Sequence, residues 1–402
     1  MPSEKRFKDR FKKTDNWTTI NRYGGLDFGQ TPLTTVLGRL QRKYDGSGNR
    51  NITSITAYGS TYGVDVVFNK QSLVLQLDTG SSDTWAVSAS SNCTPWHGDC
   101  SFGTAYTGGF TGGLISNEHL YIQYGGGEVV QGPVGAMDVT VAGISVRNQT
   151  VALANDTLWD GNNITSGVLG LAYPSITSVF TGPFGDHSSY YGVEYAPIFT
   201  TMVDQGLVEN YFSVAISRHA SGGALAFGGV PDDLDGVDYS SMGMTDIIIA
   251  NIGNDETTAY EYSFYTIIPG GWIFGSSTDN RKIPYIVDSG TTLIYLPLDL
   301  ADAINNAFEP PAEYDFLYGS YLTTCDAAPP RLAIVIDNTP FWLHPEDLIL
   351  RDSQDPLSGL CMTAIATSED GPFILGDAFL KNVLAVFDVD DAVMQFASRR
   401  NY

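Results

Sequence analysis

Two aspartates in this chain stand in matching surroundings. Asp78 ends the run Val74-Leu-Gln-Leu and is followed by Thr79-Gly80-Ser81, while Asp288 ends Pro284-Tyr-Ile-Val and is followed by Ser289-Gly290-Thr291. An aspartate at the end of an apolar strand is costly to bury as an anion unless donors or a partner receive it. Each tripeptide supplies donors. Gly80 and Gly290 permit a tight turn and offer backbone N–H groups, and Ser81 and Thr291 place hydroxyls one residue further on. Thr79 and Ser289 join them as supporting residues. Two carboxyls at contact distance cannot both ionise, so across an acidic window they hold one proton together. Such a pair suits amide hydrolysis: the ionised member takes a proton from an attacking water, and the protonated member hydrogen-bonds the carbonyl oxygen. Paired carboxylates also hydrolyse glycosides, but those enzymes differentiate their two acids, and these two are matched.

A single Asp-Ser/Thr-Gly is an ordinary turn. Duplication is what separates these two from that reading. Val168-Leu-Gly170 follows Asp78 at a distance of 92 residues, and Ile374-Leu-Gly376 follows Asp288 at 88. The elements around them read as short β-rich runs between glycine turns, with strands predicted at 64–68, 73–77, 120–124, 139–141, 212–216, 247–249 and 332–336. Helices are predicted only at 196–205 and 298–308. The expected architecture is mainly β, in two related halves at 53–230 and 231–402 behind a head at 1–52.

That head differs from the rest in charge. Residues 1–50 carry eleven Lys and Arg against five Asp and Glu, a net +6, which leaves ten basic and forty acidic residues, a net −30, in the remainder. Opposite charges in one chain favour docking of the first part on the second. The run Lys5, Arg6, Lys8, Arg10, Lys12, Lys13 also reads as a nucleic-acid or membrane arm, but the acidic body repels phosphates and anionic lipids, so no nucleic-acid partner is expected. At 43% apolar and only 16% charged residues, the 402-residue chain has ample material for a core and exceeds what one core usually supports.

The four cysteines show no metal-ligand spacing and point to two disulfides. Pairing neighbours gives Cys93 with Cys100 and Cys325 with Cys361, although three connectivities are open. Six Asn-x-Ser/Thr sequons, at Asn16, Asn51, Asn92, Asn148, Asn155 and Asn163, favour passage through a secretory pathway. Residues 1–13 hold no apolar run, so no signal peptide is expected within this chain, and no stretch is apolar enough for a membrane anchor. The histidines, His97, His119, His187, His219 and His344, form no close pair, so neither metal nor cofactor is expected. Asp377 and Asp388 lack a following glycine and hydroxyl and read as structural.

From about residue 53 onward the sequence resembles the pepsin-type aspartic endopeptidases. The resemblance is carried by Asp78-Thr-Gly-Ser-Ser-Asp-Thr-Trp85, Ile286-Val-Asp288-Ser-Gly-Thr291, the two apolar-apolar-Gly segments, and the ending Phe373-Ile-Leu-Gly-Asp-Ala-Phe379 through Val386-Phe-Asp388. It implies a bilobal fold of two pseudo-two-fold related β-rich lobes with the active-site cleft between them. It further implies water activation between Asp78 and Asp288 at acid pH, a preference for apolar residues around the cut, and a monomer acting on proteins or peptides.

Tyr124-Gly-Gly-Gly127 lies where that family has its flap hairpin, so Tyr124 is the expected flap tyrosine, Trp85 its partner, and Gly126 a substrate contact beside Gly80 and Gly290. Two departures stand out: Gly126 occupies a position where a hydroxyl is common, and the stretch to Gly132 is one residue longer. Both cysteine pairs match family positions. The head resembles a propeptide in charge and position, with Lys43 and Tyr44 the expected inhibitory plug. The resemblance places the protein outside the cell or in an acidic vacuolar or lysosomal compartment. The competing expectation is a catalytically silent binding or inhibitor protein on the same fold, against which both intact motifs argue.

Overall fold

A computed structural model describes residues 59–400 apart from 97, 183–190, 219–222, 232–233, 235, 253–259, 317 and 370, together with short backbone strands at Lys13–Thr14, Trp17–Thr19 and Asn21–Gly24. Asn16, Lys43, Tyr44, Asn51, His97, His187 and His219 lie outside the described residues. The protein is mainly β, with sheets of ten, six, five and four strands.

The ten-stranded sheet shows how local sequence makes its element. Tyr62, Val64, Val66 and Phe68 alternate with more polar residues along Gly59–Phe68, and all four are fully buried. Leu73, Leu75 and Leu77 do the same along Gln71–Asp78, and the two strands pair from Phe68↔Gln71 back to Gly63↔Gln76. Period-two burial fixes the register, because a slip of one residue would turn every one of these side chains to the other face. Each such apolar side chain removed from water contributes about 2 kcal/mol. Asn69, at φ 56, takes the left-handed position of the connecting turn.

The arrangement around each motif is repeated. Gly167–Gly170 lies parallel to Gln71–Asp78, with Gly170 opposite Asp78, and antiparallel to Thr84–Thr94. In the five-stranded sheet Ile374–Leu375 lies parallel to Tyr285–Val287 and antiparallel to Ile294–Leu296. In both places the apolar-apolar-Gly segment is the middle strand between the one entering the motif and the one leaving it. A six-stranded sheet takes Tyr211–Ile216 and Gly223–Phe227 from before residue 231 and Val237–Asp246, Val383–Asp388 and Val393–Arg399 from after it. It therefore joins the two stretches of sequence beneath one core.

The helices are shorter than the sequence pattern suggests. Ile198–Asp204 buries Ile198, Phe199 and Met202 and ends before Gly206 at φ 66. Leu298–Asn305 stops short of Phe308 because Asn305 turns inward, its Nδ2 donating to the Ala301 and Ile365 carbonyls, and the next amides make tighter bonds to Ile304 and Asn305. The strand expected at 247–249 is absent. Ile247 donates to Ala392 and Ile248 to Thr266, two different partners on successive residues, so no ladder forms, and the strand ends one residue earlier at Asp246.

Both neighbouring cysteine pairs are bonded, Cys93 to Cys100 and Cys325 to Cys361. Among the described residues no helix is long and apolar enough to cross a membrane. Asn92, Asn148 and Asn163 are exposed, and Asn155 is half-buried.

Candidate active site

Asp78 closes the strand Gln71–Asp78 and Asp288 follows Tyr285–Val287, and both carboxyls are buried. The Gly80 amide donates to Asp78 Oδ1 at 2.7 Å and the Ser81 hydroxyl to Oδ2 at 2.5 Å. The Gly290 amide donates to Asp288 Oδ1 at 2.7 Å and the Thr291 hydroxyl to Oδ2 at 2.6 Å. The two loops are also tied to each other beneath the carboxyls. The Thr79 amide donates to Ser289 Oγ at 3.2 Å and the Ser289 amide to Thr79 Oγ1 at 3.0 Å. Each hydroxyl then donates across to a carbonyl of the opposite strand, Thr79 to Val287 and Ser289 to Leu77. The relative position of the two aspartates is thus set by four hydrogen bonds that do not involve the carboxyls.

The glycines are required for a reason other than turn tightness. Neither Gly80 nor Gly290 is among the positive-φ glycines. A Cβ on Gly80 would stand 2.5 Å from Asp288 Cγ, and a Cβ on Gly290 would stand 2.5 Å from Asp78 Oδ1. Each glycine makes room for the opposing carboxyl, which is what lets the two acids meet. Gly170 is fixed similarly, because its Cβ would stand 2.5 Å from the Ser82 carbonyl carbon. Burial first, and the charge of Asp288 second, push the Asp78 carboxyl well above its ordinary value of 3.8, against the donors from Ser81 and Gly80.

Tyr124 follows the strand Gly113–Gln123, and its hairpin mate begins at Val129. Its hydroxyl accepts from Trp85 Nε1 at 2.8 Å, and burial, then the charge of Asp78, raise that phenol far above its ordinary value. The turn is closed by the Tyr124 amide on the Glu128 carbonyl and the Gly127 amide on the Tyr124 carbonyl. Trp85→Phe removes the donor and leaves a gap at a fully buried site. We expect a loss of about 2 kcal/mol in unfolding free energy together with a raised KM, read by denaturant titration and steady-state kinetics.

Several residues around this site escape sequence reasoning. Asp83, three residues past Gly80, is buried and accepts from the Ser178 amide at 3.0 Å and the Tyr195 hydroxyl at 2.8 Å. Burial pushes its carboxyl up to about 6. Its signal was available, since a second aspartate stands five residues after Asp78 in the same motif. Trp159 packs edge-on against both Trp85 and Tyr124, with Phe102 stacked on its other side. Trp96, in the loop closed by Cys93 and Cys100, lies against Gly127, where a Cβ would stand 2.9 Å from its ring. Nothing in the local sequence signals either tryptophan. Asp377 and Asp388 are buried, and the Asp377 amide donates to the Thr291 carbonyl behind the Asp288 loop. Among the described residues no group of His, Cys, Asp and Glu is arranged to hold a metal ion.

The family model for eukaryotic aspartyl proteases matches residues 61–399. A probable aspartic-type endopeptidase of Aspergillus fumigatus is 36% identical over 88% of this chain and 81% of its own length. An acid protease of Saccharomycopsis fibuligera is 26% identical over 82% of this chain and 78% of its own. The crystal structure of an aspartic proteinase from Irpex lacteus superposes with a TM-score of 0.65 at 21% identity, covering 85% of this chain and 94% of that one, a likeness of fold. With two motif loops built alike and the family's model spanning both, the chain belongs to the eukaryotic aspartyl proteases and is an aspartic peptidase.

Proposed function

We propose that Asp78 and Asp288 are the catalytic pair of an endopeptidase that works at acid pH. The observation that carries this reading is the mutual approach of the two carboxyls, each seated against the other loop's glycine and each supplied with its own pair of donors. In the mono-protonated pair, the ionised carboxylate removes a proton from water as the water oxygen attacks the peptide carbonyl carbon. The protonated carboxyl donates to the developing oxyanion, and collapse of the tetrahedral species returns a proton to the leaving nitrogen. Burial and the Asp288 charge favour Asp78 as the acid that carries the proton before attack. Ser81 and Thr291 hold the carboxyls in plane, Thr79 and Ser289 fix the loops, and Tyr124 on its hairpin covers the cleft with Trp85 behind it. The aromatic surface of Tyr124, Trp159 and Phe102 supports a preference for apolar residues at the cut.

The basic head is read as a self-inhibiting propeptide with Lys43 and Tyr44 at the pair. Backbone pairing of Trp17–Thr19 with Gly223–Phe227 and of Asn21–Gly24 with Gly59–Phe68 supports docking of the head on the body. As pH falls, protonation of body carboxylates weakens the attraction and releases the cleft. The exposed sequons and two disulfides support secretion or delivery to an acidic compartment. Incubating the purified chain at about pH 4 is expected to yield a species beginning near residues 45 to 55, identified by N-terminal sequencing. The matured protein then digests denatured protein and is blocked by a statine-type mimic of the tetrahedral species. A matured chain that cleaves nothing would overturn the peptidase reading in favour of a silent binding protein.

A further inference from the structure

Three glycines in succession leave the turn after Tyr124 little of its own to hold it. Glycine gives up more backbone freedom on ordering than any other residue, and freedom lost only when substrate arrives weakens binding. From within, the turn is closed by the Tyr124 amide at 2.9 Å and the Gly127 amide at 3.0 Å. From outside it meets two indoles. Trp159 stands edge-on to Tyr124, ring centroids 5.5 Å apart. Trp96 lies against Gly127, whose Cβ, if it had one, would stand 2.9 Å from indole Cζ2. Gly127 has φ 98, so this residue both permits the turn and gives the indole access to its backbone.

A partly exposed tryptophan on a surface loop restrains nothing unless the loop is itself held. This loop is closed by the Cys93–Cys100 disulfide and laced along its length to the segment 159–161. The Trp159 amide donates to the Thr94 carbonyl at 3.0 Å and the Gly161 amide to the Asp99 carbonyl at 2.7 Å. Between them, Asp160 Oδ1 accepts from the Trp96 and Gly98 amides, both at 2.8 Å. Bonds to a carboxylate are the stronger kind, and these two fix the backbone that carries the Trp96 ring. Adjacent residues thus reach the two ends of one glycine turn: Trp159 touches Tyr124 directly, and Asp160 acts on Gly127 through Trp96. Trp159 is anchored in turn by Trp85 and Phe102, at 5.3 and 6.2 Å.

We propose that Trp96, held by Asp160 and the Cys93–Cys100 loop, is a positioning residue that keeps the glycine turn ordered before substrate arrives. The proposal rests on the peptidase reading above, and its test separates the two. Steady-state kinetics with several peptides of unrelated flanking sequence, inhibition by a statine-type mimic, and amide hydrogen exchange are measured on the matured parent and on Trp96→Ala, Trp96→Phe and Asp160→Ala. In Trp96→Ala, KM for every peptide and the inhibition constant are expected to rise by about tenfold, while kcat stays within about threefold, because the bound turn is ordered in either protein. Exchange of the Tyr124 and Gly127 amides quickens by about tenfold. Trp96→Phe falls between the two, Asp160→Ala reproduces Trp96→Ala, and the double variant adds little to either. Parent-like KM and exchange in Trp96→Ala overturn the brace. So does a loss confined to one peptide, which marks a direct contact with substrate, or faster exchange spread through the lobe, which marks a structural role. A matured parent that cleaves no peptide overturns the peptidase reading, and the exchange of the turn amides then decides the brace by itself.

Discussion

Asp78→Asn is expected to lower kcat/KM for peptide cleavage by about 10³–10⁴-fold or more while leaving the fold intact. Asparagine is nearly isosteric and keeps an oxygen for the Gly80 amide, and the Ser81 hydroxyl can reverse its role and accept from the new amide. What is lost is the ability to hold and pass a proton. The stability consequence has the opposite sign. Asp78 is raised above 3.8 in the folded state, so its ionisation opposes folding as pH climbs past that value. Replacing it removes that opposition, and the variant should unfold at neutral pH no more easily than its parent. Circular dichroism melting and a peptide assay on the same sample check both statements. A rate within about tenfold of the parent would remove Asp78 from the catalytic pair.

The sequence made this site legible because its chemistry is written locally and twice. Each aspartate, its glycine and its hydroxyl lie within four residues, and the repeat tells the reader that the loops are equivalents. The donors to Asp78 and Asp288 come from the residues the spacing suggests. The reason for glycine was not legible, because the atom that excludes a Cβ at Gly80 belongs to Asp288, more than two hundred positions away. The same limit hides Trp159 and Trp96, whose contacts with Tyr124 and Gly127 are long-range packing with no periodic signature. Strands were legible where burial alternates, as along Gly59–Phe68. They were misread at 247–249, where three isoleucines in a row suggest a strand but successive amides bond to different partners. Helix ends were overextended for a related reason, since Asn305 spends its side chain on Ala301 and Ile365 and closes the turn. Asp83 is intermediate: its charge is plain in the sequence, but only the fold reveals that it is enclosed.

That enclosure sets a pH dependence of stability separate from that of catalysis. Asp83 is 1% exposed, and burial raises it from 3.8 to about 6 although Tyr195 and Ser178 donate to it. Below about pH 4 it is neutral in both folded and unfolded chains and exerts no pH effect. Between that value and about 6 the unfolded chain releases the proton while the folded chain retains it, so stability falls as pH rises. Above about 6 both are ionised and a constant penalty of about 3 kcal/mol remains. Asp83→Asn keeps an acceptor for the Tyr195 hydroxyl but cannot ionise. The variant is therefore expected to match its parent at about pH 3 and to exceed it by about 3 kcal/mol near pH 7. Denaturant titrations at several pH values measure the difference. They are best made in the Asp78→Asn background, which removes the titration of Asp78 from both curves. Parallel stability profiles for the two proteins would mean that water reaches Asp83 and relieves its burial. A divergence that opens between about pH 4 and about 6 would identify this carboxyl as a cause of instability at neutral pH.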